Sequence, residues 1–421
     1  MSSTTSVPRG RYWMAFGTLL LALLLYIDRV CISVAKEPIA DSLQLSDKQM
    51  GWVLSVFALG YAFFQVPSGM MADRFGPRRV LTAIVSFWSA LTALTGLAWN
   101  YISLLLFRFT FGAGEAGAFP GMSRAIFSWI PLSERGIITG INFSGSRLGA
   151  AFALPLVAWL IDSFGWRQTF MILGGIGVIW ALLWFFTFRD DPLEHPRISD
   201  TEKDFIANNR QQAAQDEQQD KLPFSRIIGS TNMWLAMGQY FASNFTFFFA
   251  LTWLFPYLKR TYQLEAMEAG WYAAAPLVCG AFGNWVAGYL TDAIYKKGNW
   301  NASRIVPACI GFALAAVGLL GSIYMDTAFG AVLFLSIAIF GADMTLPPSW
   351  SLCVDIGRTS AGAVSGTMNM AGNVGSFITA LAFPYLMAWT DSPRPFFFIG
   401  AALNVLAIFF WLRIRPDTPI T

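Results

Sequence analysis

WMAFGTLLLALLLYIDRVCISV, residues 13–34, is apolar apart from one charged pair, Asp28-Arg29. The run ahead of that pair, residues 14–27, is too short to cross a membrane alone. A helix through a hydrocarbon core of about 30 Å needs about 20 residues, so Asp28 and Arg29 are expected inside the span. An ionised side chain there costs on the order of 2.5–3.5 kcal/mol even on lenient insertion scales, and such residues mark substrate or ion pathways. Adjacent helical residues project about 100° apart, so the two cannot face one way. Each needs a partner on another helix.

The rest of the chain is of the same kind. It has 421 residues, 55% hydrophobic and only 13% charged, where a soluble protein carries about 25% charged residues. Repeated long apolar segments identify an all-α, polytopic membrane protein whose surroundings are the lipid bilayer. The net charge of +3 makes no case for nucleic acid, because the basic residues flank the spans. Cys31, Cys279, Cys309 and Cys353 lie in or beside apolar segments without metal-ligand spacing, and read as buried free thiols. His195, the only histidine, is expected to be solvated in a charged loop. No phosphate-binding G-x-x-x-x-G-K-[ST] loop occurs, nor a Ser/His/Asp or metal constellation. Neither an ATP-driven pump nor an enzyme is expected, and no cofactor. Arg9, Arg11 and the later Ser33-Val34-Ala35 imitate a signal peptide, but the in-span charges and the many later spans favour an uncleaved first helix.

Twelve spans are expected, near 13–34, 50–71, 80–98, 101–123, 137–161, 167–188, 232–257, 268–291, 304–323, 328–350, 360–387 and 394–413. A polar insert rich in Gln divides them six and six, giving bundles at 1–188 and 232–421 and a linker at 189–231, with a short amphipathic or disordered link inside it. With both termini and the insert inside, 19 of the 28 basic residues fall in cytoplasmic segments. Six fall outside, and Arg29, Arg108 and Arg147 remain in spans. The opposite orientation inverts that ratio, so both termini are expected to be cytoplasmic.

The loop after the second span reads GMMADRFGPRRVL, residues 69–81. A worn copy, Gly288-Tyr289-Leu290-Thr291-Asp292 with Lys296 and Lys297, follows 219 residues later at the corresponding place in the second half. The first copy resembles the signature between the second and third helices of the major facilitator superfamily, G-x-L-x-D-R-x-G-R-K-x-x-L. It departs at Met71 and at Pro77, and the second copy lacks the Arg and the second Gly. The resemblance implies the major facilitator fold: twelve transmembrane helices in two pseudo-symmetric six-helix bundles. Gly69, Asp73, Arg74, Gly76 and Arg78 are then expected to clasp neighbouring cytoplasmic helix ends, a gating and structural role rather than substrate contact.

The fourth span holds Arg108 and Glu115, with Gly112, Gly114 and Gly117 beside them. Seven residues separate the two charges, so they share one helix face roughly 10 Å apart along the axis. The glycines let another helix approach closely. Depth in the bilayer matches Asp28 to Arg108 and lets Arg29 reach Glu115. Tyr26-x-Asp28-Arg29, Arg108-x6-Glu115 and Ala118-Phe119-Pro120 together are similar to the anion:cation symporter family of the superfamily, over essentially the whole chain. That family includes bacterial galactonate, glucarate and hexuronate transporters. The resemblance implies proton coupling at Asp28 and Glu115. It implies that Arg29 and Arg108 hold the substrate carboxylate or the carboxylate switches. Tyr26, Tyr61, Gln239 and Asn369 match polar or aromatic cavity positions, with Asn373 a competing match for Asn369. Arg147, near the middle of span five, reads equally as a site residue or as an arginine turned to a polar interface. Asp343, ahead of Pro347-Pro348, can pair with it or serve the inner gate.

Guanidinium groups bind carboxylates bidentately. A monomeric proton-coupled symporter for a small organic anion, first of all a sugar acid, in a bacterial inner membrane is therefore expected. A drug–proton antiporter is the alternative, although span five lacks the G-x-x-x-G-P-x-x-G-G-like pattern of that group; a nutrient sensor that moves nothing is another. Topology is directly checkable. A cysteine at Gln215 in a cysteine-free background is expected to resist an impermeant thiol reagent added to intact cells, and ready labelling from outside would refute the orientation.

Overall fold

The structure, a computed structural model, describes residues 10–210, 222–264 and 266–420. The first half of the chain folds into α1 (Arg11–Val34), α2 (Lys36–Leu43), α3 (Asp47–Phe75), α4 (Pro77–Thr95), α5 (Tyr101–Glu115), α6 (Ala118–Trp129), α7 (Arg135–Phe164) and α8 (Trp166–Thr187). Two short helices follow, α9 (Asp200–Asn209) and α10 (Phe224–Gly229). The second half holds α11 (Thr231–Thr252), α12 (Leu254–Thr261), α13 (Ala266–Lys296), α14 (Trp300–Ser322), α15 (Ala328–Met344), α16 (Leu346–Gly357), α17 (Ala361–Thr390) and α18 (Arg394–Arg413). No strand occurs among the described residues.

Every expected span is occupied. Nine coincide with single helices, and three are built from two helices in succession: α5 with α6, α11 with α12, α15 with α16. By length and apolar composition alone, nine stretches of the described residues suffice to cross a membrane; α4 and α11 fall short, and the tenth and eleventh spans run together within Ala328–Thr379. In α4 the reason is the arginine pair in its first turn, Arg78 and Arg79; the threonines further along weigh little. Its Thr92 and Thr95 hydroxyls are buried and donate to the carbonyls of Trp88 and Leu91 one turn back, which satisfies them within the helix. The link between α3 and α4 is tighter than the expected loop. Asp73 and Arg74 belong to the last turn of α3, and the turn is made at Gly76, whose φ of 82° suits glycine. Pro77 then opens α4 at a position where a missing N–H costs nothing.

By contacts the chain forms two compact units, Met1–Arg135 with Phe152–Leu222 and Gly357–Gly366, and Gly136–Ala151 with Pro223–Ile356 and Thr367–Thr421. In the first unit, α3 and α5 meet backbone to backbone. A Cβ on Gly60 would run into the Phe109 carbonyl, and one on Gly112 into the Phe57 carbonyl. In the linker, α9 serves α1: Glu202 accepts from the amides of Gly10 (2.7 Å) and Arg11 (2.9 Å), placing an acid at a helix N-terminus. The Arg11 guanidinium is held by Glu134 at 2.8 Å and Glu202 at 3.1 Å. The rest of the polar insert, residues 211–221 with Gln215, lies outside the described residues. The second unit has an aromatic core in which Phe249 packs on Phe383, Phe396 and Phe397.

Two expectations are corrected. His195 is half-buried: its ring meets Trp129 edge-on at 5.5 Å, Nδ1 accepts from the Arg197 amide at 3.2 Å, and Nε2 therefore donates to the Thr187 carbonyl at 2.9 Å. Burial, with Arg189, Arg197 and Lys203 nearby, lowers its basicity. All four cysteines are free thiols, but only Cys31 and Cys353 are buried; Cys279 and Cys309 are partly exposed at their helix surfaces.

A matched pair of substitutions tests the α3–α5 contact. Gly112→Ala is expected to cost on the order of 1–3 kcal/mol by overpacking. Gly175→Ala, where nothing lies within 4 Å of the added carbon, should be neutral or stabilising by up to about 1 kcal/mol. Equal melting temperatures of the two purified variants would contradict the packing.

Candidate functional site

The first unit concentrates its buried charge where span four breaks. α5 ends at Glu115 and α6 resumes at Ala118, so Glu115 closes its helix with the carboxylate fully buried. Arg29 Nε on α1 donates to Glu115 Oε2 at 2.6 Å. This is the partner that depth alone had offered for Arg29. The guanidinium is walled by three rings: its central carbon lies 5.1 Å from the centroid of Tyr26, 5.3 Å from Phe57 and 4.4 Å from Tyr61. Such rings attract a cation through their negative faces and exclude water around it.

Asp28 pairs differently from expectation. Its carboxylate is fully buried and accepts from the indole N–H of Trp88 on α4, at 3.1 Å to Oδ2, instead of from Arg108. Arg108 lies between Phe57 (5.3 Å) and Phe111 (4.8 Å) and makes no hydrogen bond among the described residues. The two arginines thus flank one ring, that of Phe57. Sequence reasoning overlooked both Phe57 and Trp88. Phe57 had a signal, one helical turn before Tyr61, on which it stacks at 5.5 Å. Trp88 had none beyond its place in a polar-rich span. Four buried atoms of this cluster lack a hydrogen-bond partner among the described residues: Asp28 Oδ1, Arg29 Nη2, Arg108 Nε and Glu115 Oε1. Buried polar atoms are nearly always satisfied, and each orphan costs about 1–3 kcal/mol, more when charged.

The remaining sequence candidates lie in the second unit. Gln239 is fully buried; its amide oxygen accepts from Ser349 (3.1 Å) and Trp411 (3.2 Å), and its nitrogen donates to the Ala236 carbonyl at 3.0 Å. Asn373 donates to the Asn369 carbonyl at 2.8 Å, one turn back on α17. Arg147 is held by Asp343 as a two-pronged fork, Nε to Oδ2 at 2.8 Å and Nη2 to Oδ1 at 2.6 Å, and its guanidinium lies 3.6 Å from the Phe247 ring centroid. Asp343 sits one residue before the end of α15, ahead of another break, and α16 carries Pro347 and Pro348 in its first turn, where proline is tolerated.

The repeated signature has the same geometry in both copies. Asp73 accepts from the amides of Gly362 (2.9 Å) and Ala363 (2.8 Å) at the start of α17. Asp292 accepts from those of Gly136 (2.9 Å) and Ile137 (2.8 Å) at the start of α7. A carboxylate at a helix N-terminus meets unpaired N–H groups and the positive end of the helix dipole. The aspartates clasp helix N-termini, and of the two arginines Arg78 reaches a helix C-terminus, the last turn of α8. Arg74 is exposed over Phe75, and Arg78 donates to the Phe185 carbonyl at 2.8 Å. The Arg78 amide donates to Asp190 at 2.8 Å, and that carboxylate fills the space beside Gly76. Burial pushes the Asp190 carboxyl above the usual range, against the pull of the Arg78 amide and of Arg124.

Comparison with known proteins agrees with this architecture. The Major Facilitator Superfamily model matches residues 18–380. The probable sulfoacetate transporter SauU of Cupriavidus necator is 36% identical over 92% of this chain and 90% of its own. The probable galactarate/D-glucarate transporter GarP of Escherichia coli is 32% identical over 90% and 88%. The hexuronate transporter of Bacillus subtilis is 28% identical over 93% and 92%. Among solved structures, the proton:xylose symporter XylE superposes with a TM-score of 0.75 at 16% identity over 97% of both chains, a likeness of fold. The chain belongs to the Major Facilitator Superfamily, in its anion:cation symporter family, and is a multi-pass membrane transporter rather than an enzyme.

Proposed function

We propose that the protein is a monomeric symporter that carries a small organic anion inward with protons across a bacterial inner membrane, with both termini cytoplasmic. The first-choice substrate is a sugar acid; an acid bearing a sulfonate comes next, because the relative at 36% identity is named for sulfoacetate. The reading rests on one observation, the four orphaned atoms of the Asp28–Arg29–Arg108–Glu115 cluster. Arg29 Nη2 and Arg108 Nε lack acceptors, which an anion supplies. Asp28 Oδ1 and Glu115 Oε1 accept no hydrogen bond, which leaves each oxygen free to take a proton.

Charge explains why the two must come together. The four side chains sum to zero when both carboxylates are ionised, so an incoming anion leaves a buried negative excess. Protonating Glu115 or Asp28 cancels it, and a proton on Glu115 loosens its hold on Arg29, freeing that guanidinium for the anion. Proton and anion then bind cooperatively. Carrying more protons than substrate charges adds about 2.3 kcal/mol per net positive charge at 100 mV. In this scheme Glu115 senses substrate and Asp28 carries a second, gating proton. Tyr26 and Tyr61 line the arginine; Gln239, Asn369, Asn373 and Arg147 are the second-unit candidates for substrate contact, and Arg147 must first leave Asp343. The halves 1–188 and 232–421 are the moving bundles, and release of the α17 and α7 N-termini by Asp73 and Asp292 is the gating step.

Arg29→Gln or Arg108→Gln is expected to lose at least about tenfold in anion affinity, since a hydrogen bond to a charged group contributes about 1.5–3 kcal/mol. Lysine should rescue poorly, because it lacks the planar fork. Normal binding of sugar acids and sulfonates by Arg29→Gln in a thermal-shift panel would refute the site. Glu115→Gln should keep binding yet lose pH-driven accumulation, and Asp28→Asn should lose active uptake while sparing counterflow. Full gradient-driven accumulation in proteoliposomes by the Asp28→Asn, Glu115→Gln double variant would eliminate these groups as the coupling pair. Binding without uptake by the wild type would favour a sensor.

A further inference from the structure

Trp88 touches the proposed proton site and has no part in the scheme so far. It is fully buried on α4, and its indole N–H reaches across to Asp28 Oδ2 at 3.1 Å. Its helix packs tightly on the next, where Gly114 lets α5 close on the Phe87 ring and on the Cβ of Trp88.

An indole nitrogen donates a hydrogen bond and cannot accept one. Trp88 therefore fixes Oδ2 as an acceptor in either state of the carboxyl, and it cannot receive the proton that Asp28 gives up. Oδ1 remains, buried and without a hydrogen-bond partner among the described residues. The charged groups facing Asp28 are Glu115 and Arg108 on α5, and the Cys31 thiol donates to the Asp28 backbone carbonyl at 3.0 Å. Arg29 is committed to Glu115, and Arg108 lies against its two rings. Among the described residues, Trp88 is the one side chain that donates directly to the Asp28 carboxylate.

We propose that Trp88 is a positioning residue of the proton site: its donor-only N–H pins Oδ2, directs the transported proton to Oδ1, and favours the ionised carboxyl, so setting the pH at which Asp28 loads and unloads. The proposal rests on the assignment of Asp28 as a coupling group. Loading forms one O–H bond at Oδ1 from a proton delivered by water. Unloading returns that proton to water with the electron pair staying on Oδ1, while the Trp88 bond to Oδ2 persists throughout. Without the donor, either oxygen can take the proton and the ionised form loses a charge-assisted hydrogen bond.

The test replaces Trp88 by 3-benzothienylalanine, in which sulfur takes the place of the N–H and the ring keeps its shape. Trp88→Phe serves as a genetically encoded second variant. Infrared difference spectroscopy of the purified protein follows the protonated Asp28 carboxyl, its band assigned by loss in Asp28→Asn. A hydrogen bond to a charged group is strong enough that its removal should move the titration midpoint up by about one pH unit or more. The pH optimum of gradient-driven uptake should move to higher pH with it, while counterflow persists. An unchanged midpoint in the benzothienyl variant overturns the proposal. So does a uniform loss of uptake and counterflow with no shift in pH profile, which is what a merely structural tryptophan would give. The coupling assignment fails separately: if Asp28→Asn still accumulates substrate on a pH gradient, Asp28 is not a coupling group whatever the infrared midpoint does.

Discussion

The contact between Arg29 and Glu115, 2.6 Å long with the acid fully buried and the arginine side chain 16% exposed, is the constraint around which the first unit is built. Two opposite charges taken out of water recover their desolvation cost only with good geometry and further hydrogen bonds. Here those further bonds are incomplete. Among the described residues, one oxygen of Glu115 and one terminal nitrogen of Arg29 are left without hydrogen-bond partners, as are Arg108 Nε and Asp28 Oδ1. The close crossing of α3 and α5 at Gly60 and Gly112 brings the ring of Phe57 beside both arginines. The break after Glu115 ends the helix at the acid. Together these features leave a largely buried polar cluster incomplete, a state suited to a ligand that is both charged and transient.

The second unit repeats the plan with the opposite outcome. Its buried acid, Asp343, also stands beside a helix break and also holds an arginine from another helix. There both carboxylate oxygens are engaged by the Arg147 fork, and the guanidinium is covered by Phe247. A bidentate pair of this kind is hard to open, since removing one partner of a buried pair costs about 3–5 kcal/mol. The half-satisfied pair of the first unit is therefore the easier of the two to open, and any substrate contact by Arg147 has that cost to meet. The two signature aspartates are alike instead, each accepting from two amides at a helix start with nearly the same distances. That the worn copy keeps Asp292 while losing its Arg and second Gly follows from this geometry, because the carboxylate alone makes the contact.

Much of this was legible in the sequence. Apolar segments located all twelve spans, and the cost of charge in hydrocarbon singled out Asp28, Arg29, Arg108 and Glu115 before any contact was visible. Depth along a helix was enough to pair Arg29 with Glu115. It failed for Asp28, because depth counts only charges and the partner is the neutral N–H of Trp88. Neutral donors on aromatic residues leave no mark in a chain that is 16% aromatic. The turn at Gly76 was also misjudged in extent. A left-handed glycine followed by proline can join two helices without a loop, and hydropathy ends a span at the first charges even when the helix continues through them.

The central claim is that the anion and the proton meet in one half-satisfied charge cluster, and calorimetry measures that most directly. Titrating a sugar acid, or a small sulfonated acid, into the purified protein in two buffers of different ionisation heat gives the number of protons exchanged on binding. Net proton uptake of about one per anion near neutral pH, abolished in Glu115→Gln although the anion still binds, is the expected result. Tight binding with no proton uptake in the wild type would contradict the coupling of anion and proton at this cluster.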